Sequence, residues 1–142
     1  MKVERSISIS RPPADVLAYT ADVRNDPSWH TDVLEVRAPD GPVAVGTVFE
    51  VKVKPSMGVS EGTMTVTEYE PDKRIVFDGR MGKMNPKVTN AVAPEGSGTL
   101  FVRIVELEPS GFMRVMTPMI KSVIGKSNTG FLKNLKQVLE GS

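Results

Sequence analysis

Residues 99–138 read TLFVRIVELEPSGFMRVMTPMIKSVIGKSNTGFLKNLKQV, and a change of period inside this stretch decides the fold. Residues 99–107 read as a strand, with Phe101, Arg103, Val105 and Leu107 on one face and Leu100, Val102 and Ile104 on the other. Further on, Met113, Met116, Ile120, Val123, Ser127, Phe131, Leu135 and Val138 step by three or four, which traces one face of a long helix. Arg114, Lys121, Lys126, Lys133 and Lys136 fall mostly off that stripe. Pro118 is expected to bend this helix, because proline removes a backbone donor and clashes with the preceding turn. Gly125 and Gly130 should weaken it further.

At the N-terminus, Val3, Ile7 and Ile9 alternate with Lys2, Glu4, Ser6 and Ser8, the period-two pattern of a half-buried strand. Residues 10–15 open a short helix, since prolines suit a first turn and Asp15 suits the positive end of the helix dipole. Asn25-Asp26-Pro27 breaks it, because Pro27 disfavours helical geometry at Asp26. Segments 33–36, 47–54, 59–69, 74–80, 87–93 and 99–107 then read as strands joined by turns such as Asp40-Gly41-Pro42 and residues 94–98. Short connections at this spacing imply an antiparallel meander. The order is strand, short helical pair, strands, long amphipathic helix. It predicts an α+β domain in which a curved antiparallel sheet wraps a helix on its concave face, and such packing leaves a cavity between the two layers.

Composition narrows the chemistry. The chain has 142 residues, enough for one domain with its own core, so residues 1–142 are read as a single unit. It has no cysteine, which excludes disulfides, thiolate nucleophiles and Cys-ligated metal, and one histidine, which excludes a multi-histidine metal site within the chain. No metal and no cofactor are expected. The net charge of +1 argues against a nucleic-acid partner. Charge is unevenly placed: residues 109–142 carry five basic side chains and one acidic, so that the remainder is net negative. The first ten residues hold no continuous apolar run, and none elsewhere reaches the ~18 residues of a membrane span, so a cytoplasmic location is the default expectation.

The chain resembles the SRPBCC or START-like superfamily, in particular its bacterial polyketide cyclase/dehydrase-like members. The matching stretches are residues 7–16 (ISISRPPADV), Ala21-Asp22 through Pro27-Ser28-Trp29, residues 66–71 (VTEYEP), Gly98-Thr99, residues 106–109 (ELEP) and the C-terminal helix with Pro118. The resemblance spans essentially the whole chain. It implies the helix-grip fold: about seven strands around a long C-terminal helix, two short helices after the first strand, and an internal apolar cavity that in relatives holds lipids, polyketides or similar molecules. Its members include carriers and enzymes, so the fold alone names no activity.

By analogy with that family, Phe101, Arg103, Val105 and Leu107 point into the cavity, and Arg5 shares the inward face of the first strand. Arg5 is expected to reach the rim or pair internally. Arg103 is either paired within the protein or an anchor for a ligand carboxylate or enolate oxygen. The proposed lining is Tyr19, Trp29, His30, Phe49, Val51, Phe77, Arg103, Val105, Met113, Met116, Ile120, Val123 and Ser127. Trp29 and His30 would stand at the mouth, and the methionines would supply adaptable apolar wall. The leading reading is a non-enzymatic binding or transport protein for a small hydrophobic molecule, with at most transient membrane contact. One alternative is a polyketide cyclase/dehydratase-type enzyme using His30 and Arg103. Another is an interaction module that forms a homodimer through Leu100, Val102 and Ile104 on the outer face of the last strand.

Overall fold

A computed structural model describes every residue except Met57 and Ser142. Seven strands, β1 (Lys2–Ile9), β2 (Val33–Arg37), β3 (Val48–Ser56), β4 (Val59–Glu70), β5 (Arg74–Arg80), β6 (Lys87–Glu95) and β7 (Gly98–Glu106), form one antiparallel sheet in the order β1-β7-β6-β5-β4-β3-β2. Each strand from β2 onward pairs with its neighbour in sequence, while β1 pairs with β7 and so brings the first and last strands of the chain together. Register shifts between β2 and β3, β3 and β4, and β4 and β5 add local twist and bend that half of the sheet.

Between β1 and β2 lie helix α1 (Pro13–Ala21) and a 3-10 helix (Val23–Ser28). Val16, Leu17, Thr20 and Ala21 bury one side of α1, and Asp22 caps the 3-10 helix by accepting from the Arg24 N–H. The long helix α2 (Thr117–Glu140) packs against β1 and is preceded by a second 3-10 helix (Gly111–Met116). The helix-grip architecture is thus present. No described helix is long and apolar enough to cross a membrane.

Three expectations need correction. Pro118 does not bend a long helix; it lies in the first turn of α2, where its missing N–H has no helical acceptor to lose. Met113 and Met116 consequently belong to the preceding 3-10 helix and not to the stripe. The buried side of α2 is also rotated from the one read in the sequence: Ile120, Gly125, Asn128, Phe131, Leu132, Leu135 and Leu139 are buried, Val138 is only half-buried, and Val123 is 58% exposed. Gly125 has a packing reason, since a Cβ there would collide with the Arg5 guanidinium laid across the helix. Arg5 therefore reaches out over α2, as expected for a rim residue, and is exposed. On the outer face of β7, Leu100, Val102 and Ile104 are half-buried.

Candidate ligand cavity

A cavity of about 320 Å³ lies between the concave face of the sheet and the first half of α2. Its walls are mostly apolar and come from both layers: Val51, Met64, Val88 and Val105 from the strands, Ile124 and Phe131 from the helix. It meets the surface near Lys54, Ser56 and Val123, all exposed. Two further methionines reach it through local backbone chemistry. Met81 and Met84 exchange two backbone hydrogen bonds across a tight turn, in which Gly82 takes a positive φ of 64°. Gly79 admits the returning strand, because a Cβ there would stand 2.9 Å from Pro86. Both thioethers are thereby delivered to the cavity wall.

The inner end is polar. Arg103 stands in the middle of β7, paired in register with Arg5 on one side and Asn90 on the other, so all three share the concave face. Arg5 extends toward solvent, while Arg103 is buried. Its Nε donates to Asn128 Oδ1 at 3.0 Å and its Nη1 to Asn90 Oδ1 at 3.0 Å. Each amide is oriented by donating in turn to a carbonyl, Asn128 to Ile124 and Asn90 to Thr20. The guanidinium also lies 5.3 Å from the centre of the Trp29 ring, a cation–π contact away from water.

The break at Asn25-Asp26-Pro27 supplies the remaining polar groups. The 3-10 helix ends there with Trp29 and His30 both donating backbone N–H to the Asp26 carbonyl. That turn points the Asp26 carboxyl and the His30 ring into the cavity and buries Trp29 behind them. His30 stacks on Phe131 of α2 with centroids 4.1 Å apart and meets the edge of Trp29 at 5.9 Å. Asn134 fixes this segment to α2 by donating to the Trp29 carbonyl. Three buried side-chain atoms here have no hydrogen-bond partner: Asp26 Oδ1, Trp29 Nε1 and His30 Nδ1. In a folded protein such atoms are ordinarily satisfied by protein, water or ligand.

Burial sets the protonation of this end. Loss of hydration pushes Asp26 up to about 7 despite the attraction of Arg103, and Asp22 adds to the rise. The same loss of hydration, with repulsion from Arg103, pulls His30 down to about 3, so it is a neutral ring at physiological pH. Burial also lowers Arg103 from its usual range, partly offset by Asp26, and the guanidinium keeps its charge.

Of the residues expected to line the cavity, His30, Val51, Arg103, Val105, Val123 and Ser127 do so. Trp29 touches Arg103 from behind, so it and the adjoining His30 stand at the inner end and not at the mouth that the sequence reading gives them. Phe49 and Phe77 point to the same layer but meet each other ring to edge in the solid core. Tyr19 lies half-buried on α1, and Ile120 is buried on α2 outside the lining. Met113 and Met116 lie outside it too, because the second 3-10 helix carries them away from the helix face that the sequence pattern gives them. Their role falls to Met64, Met81 and Met84.

Asp26, Asn90 and Asn128 are site residues that the sequence pattern does not single out. Asn90 carries a signal, since it interrupts the apolar alternation of Val88 and Val92 on the strand beside Arg103. Asp26 is legible only as part of a helix breaker. The linear sequence says nothing of which way its carboxyl turns.

Comparison with known proteins agrees with this architecture. Residues 1–140 match the family described as "Polyketide cyclase / dehydrase and lipid transport". TTHA0849 from Thermus thermophilus superimposes with a TM-score of 0.79 at 18% identity, over 99% of this chain and 98% of that one. Ara h 8.0201 gives a TM-score of 0.73 at 13% identity, over 100% and 99% of the two chains. DynU16, a protein in the dynemicin biosynthetic locus, gives 0.69 at 16% identity, over 98% of this chain and 47% of that one. At such identities these likenesses establish the fold alone. No curated protein matches the chain. With residues 1–140 matched and its helix-grip sheet in place, the chain belongs to the polyketide cyclase/dehydrase and lipid-transport family.

Proposed function

We propose that the protein binds a small hydrophobic molecule in the cavity between sheet and α2, with the polar end of that molecule against Arg103. The observation that carries this reading is the cavity itself: about 320 Å³, apolar along most of its wall, and closed at one end by a buried cation beside unsatisfied polar atoms. Affinity arises chiefly from burial of apolar surface, and the few polar groups fix orientation. N-phenyl-1-naphthylamine, a neutral probe that fluoresces in apolar surroundings, should bind saturably at one site per chain. Ser127→Phe projects a ring into the cavity and should abolish that binding while leaving the melting temperature near the wild-type value. Absence of saturable binding, or unchanged binding in a folded Ser127→Phe protein, contradicts the reading.

A second reading, proton transfer to or from a bound ketone of the polyketide type, draws on Asp26. Its carboxyl, poised near neutrality beside Arg103, suits acid–base exchange better than His30, whose ring is too weak a base. Arg103 would stabilise an enolate oxygen. The check is hydrogen–deuterium exchange at the carbon beside the carbonyl of 2-tetralone: acceleration by the wild type and its loss in Asp26→Asn support this reading, and exchange at the solvent rate removes it.

A further inference from the structure

The inner end of the cavity holds a buried cation whose direct partners are neutral. Arg103 donates through Nε and Nη1 to two amide oxygens, and among the described residues no ion pair reaches it. Removing a guanidinium from water without a counter-charge is costly, and amide dipoles return only part of the lost hydration. The surroundings do not supply the missing charge directly. Arg5 of β1, opposite in register, is itself a cation and turns away over Gly125. Asn90 of β6, Asn128 and Ser127 of α2 are neutral. Asp26 and His30 face Arg103 from the segment after α1, Asp22 acts on Asp26 from farther off, and Asp32 and Lys54 also line the cavity and bring opposite charges. Asp26 Oδ1 receives no hydrogen bond.

Resting on the cavity-binding reading above, we infer that the occupant is an amphiphile with a single carboxylate head, seated on the Arg103 guanidinium beside Asp26, its apolar body among Met64, Met81, Met84 and Val105. The head completes the charge balance of Arg103 and takes a charge-assisted hydrogen bond in a water-poor pocket. Asp26 makes the arrangement sensitive to pH. Protonated, its carboxyl donates to the incoming carboxylate; ionised, it repels it. Its proton is held up to about 7, so binding at higher pH takes up one proton, whereas His30, held down near 3, stays neutral throughout that range.

The test is displacement of N-phenyl-1-naphthylamine by decanoate and by decan-1-ol, at pH 6 and pH 8. Decanoate is ionised at both values, since an ordinary carboxyl titrates about two units lower. Decanoate should displace the probe at least roughly tenfold more effectively than decan-1-ol at pH 6, and its affinity should fall roughly tenfold by pH 8 while that of decan-1-ol holds constant. Arg103→Met should erase the preference for the acid. Because that substitution opens a buried network, the isosteric Asp26→Asn carries the test independently: decanoate should bind it equally at both pH values. Equal displacement by acid and alcohol, or a pH dependence that persists in Asp26→Asn, overturns the inference and leaves the cavity reading standing. Failure of the probe itself to bind removes both.

Discussion

The two halves of α2 are one continuous helix with opposite duties. From Phe131 onward, Phe131, Leu132, Leu135 and Leu139 are buried and close the core over β1 and the neighbouring sheet. Before Phe131, only Ile120, Gly125 and Asn128 are buried, Val123 stands at the cavity, and Met119 is 53% exposed. The 3-10 helix that leads in exposes Phe112 and Val115 as well. The helix is thus anchored at one end and roofs the cavity at the other, so stability and binding should separate along its length. The largest effect belongs to the anchored half: Leu135→Ala removes a fully buried side chain and should cost about 2–5 kcal/mol in chemical denaturation. A loss below about 1 kcal/mol would mean that this half is not the anchor.

The polar end of the cavity provides the next contrast. Asp26, raised from 3.8 to about 7, binds a proton in the folded state that the unfolded chain has released between those values, so its contribution weakens folding as pH rises through that window. His30, lowered from 6.5 to about 3, does the reverse, and its contribution weakens folding as pH falls from 6.5 toward 3. Between about pH 4 and 6.5 the two slopes cancel, leaving these two groups with almost no net effect on the wild type. Relative to wild type, Asp26→Asn should therefore lose stability on acidification across that window by up to ~1.4 kcal/mol per pH unit. His30→Gln should gain stability by a similar slope. Parallel pH profiles for all three proteins would show that these groups are hydrated in the folded state.

Smaller effects belong to the roof. Ser127→Phe should change stability by less than about 1 kcal/mol while removing probe binding, which is the clearest separation of the two duties. Gly125→Ala should fall within about 1 kcal/mol of wild type in denaturation, because better helix propensity opposes the displacement of Arg5, whose exposed guanidinium has room to swing aside. Val123→Ala, at an exposed position, should move stability by no more than about 0.5 kcal/mol.

The sheet, its strand limits and the concave helix are legible in the sequence because period-two and period-three-or-four patterns report burial directly. The inward Arg103 is legible for the same reason, as a charge on an apolar face. The cavity lining is less so. Pro118 reads as a kink where it begins a helix, and that reading carries Met113 and Met116 onto the wrong surface. Asp26, Asn90 and Asn128 join Arg103 only through strand pairing and helix packing, separations in sequence that no local pattern encodes. Met81 and Met84 join Met64 of β4 only through a turn whose geometry depends on Gly79 and Gly82.

The two sets of methionines distinguish a ligand seated beneath the first half of α2 from one bound anywhere else. Methyl spectra of protein labelled with 13C at the methionine methyl groups, titrated with N-phenyl-1-naphthylamine, report each methionine separately. Ring-current shifts are expected at Met64, Met81 and Met84 that saturate together, with Met113, Met116 and Met119 unmoved. Shifts confined to Met113, Met116 and Met119, with the cavity methionines unchanged, would contradict it.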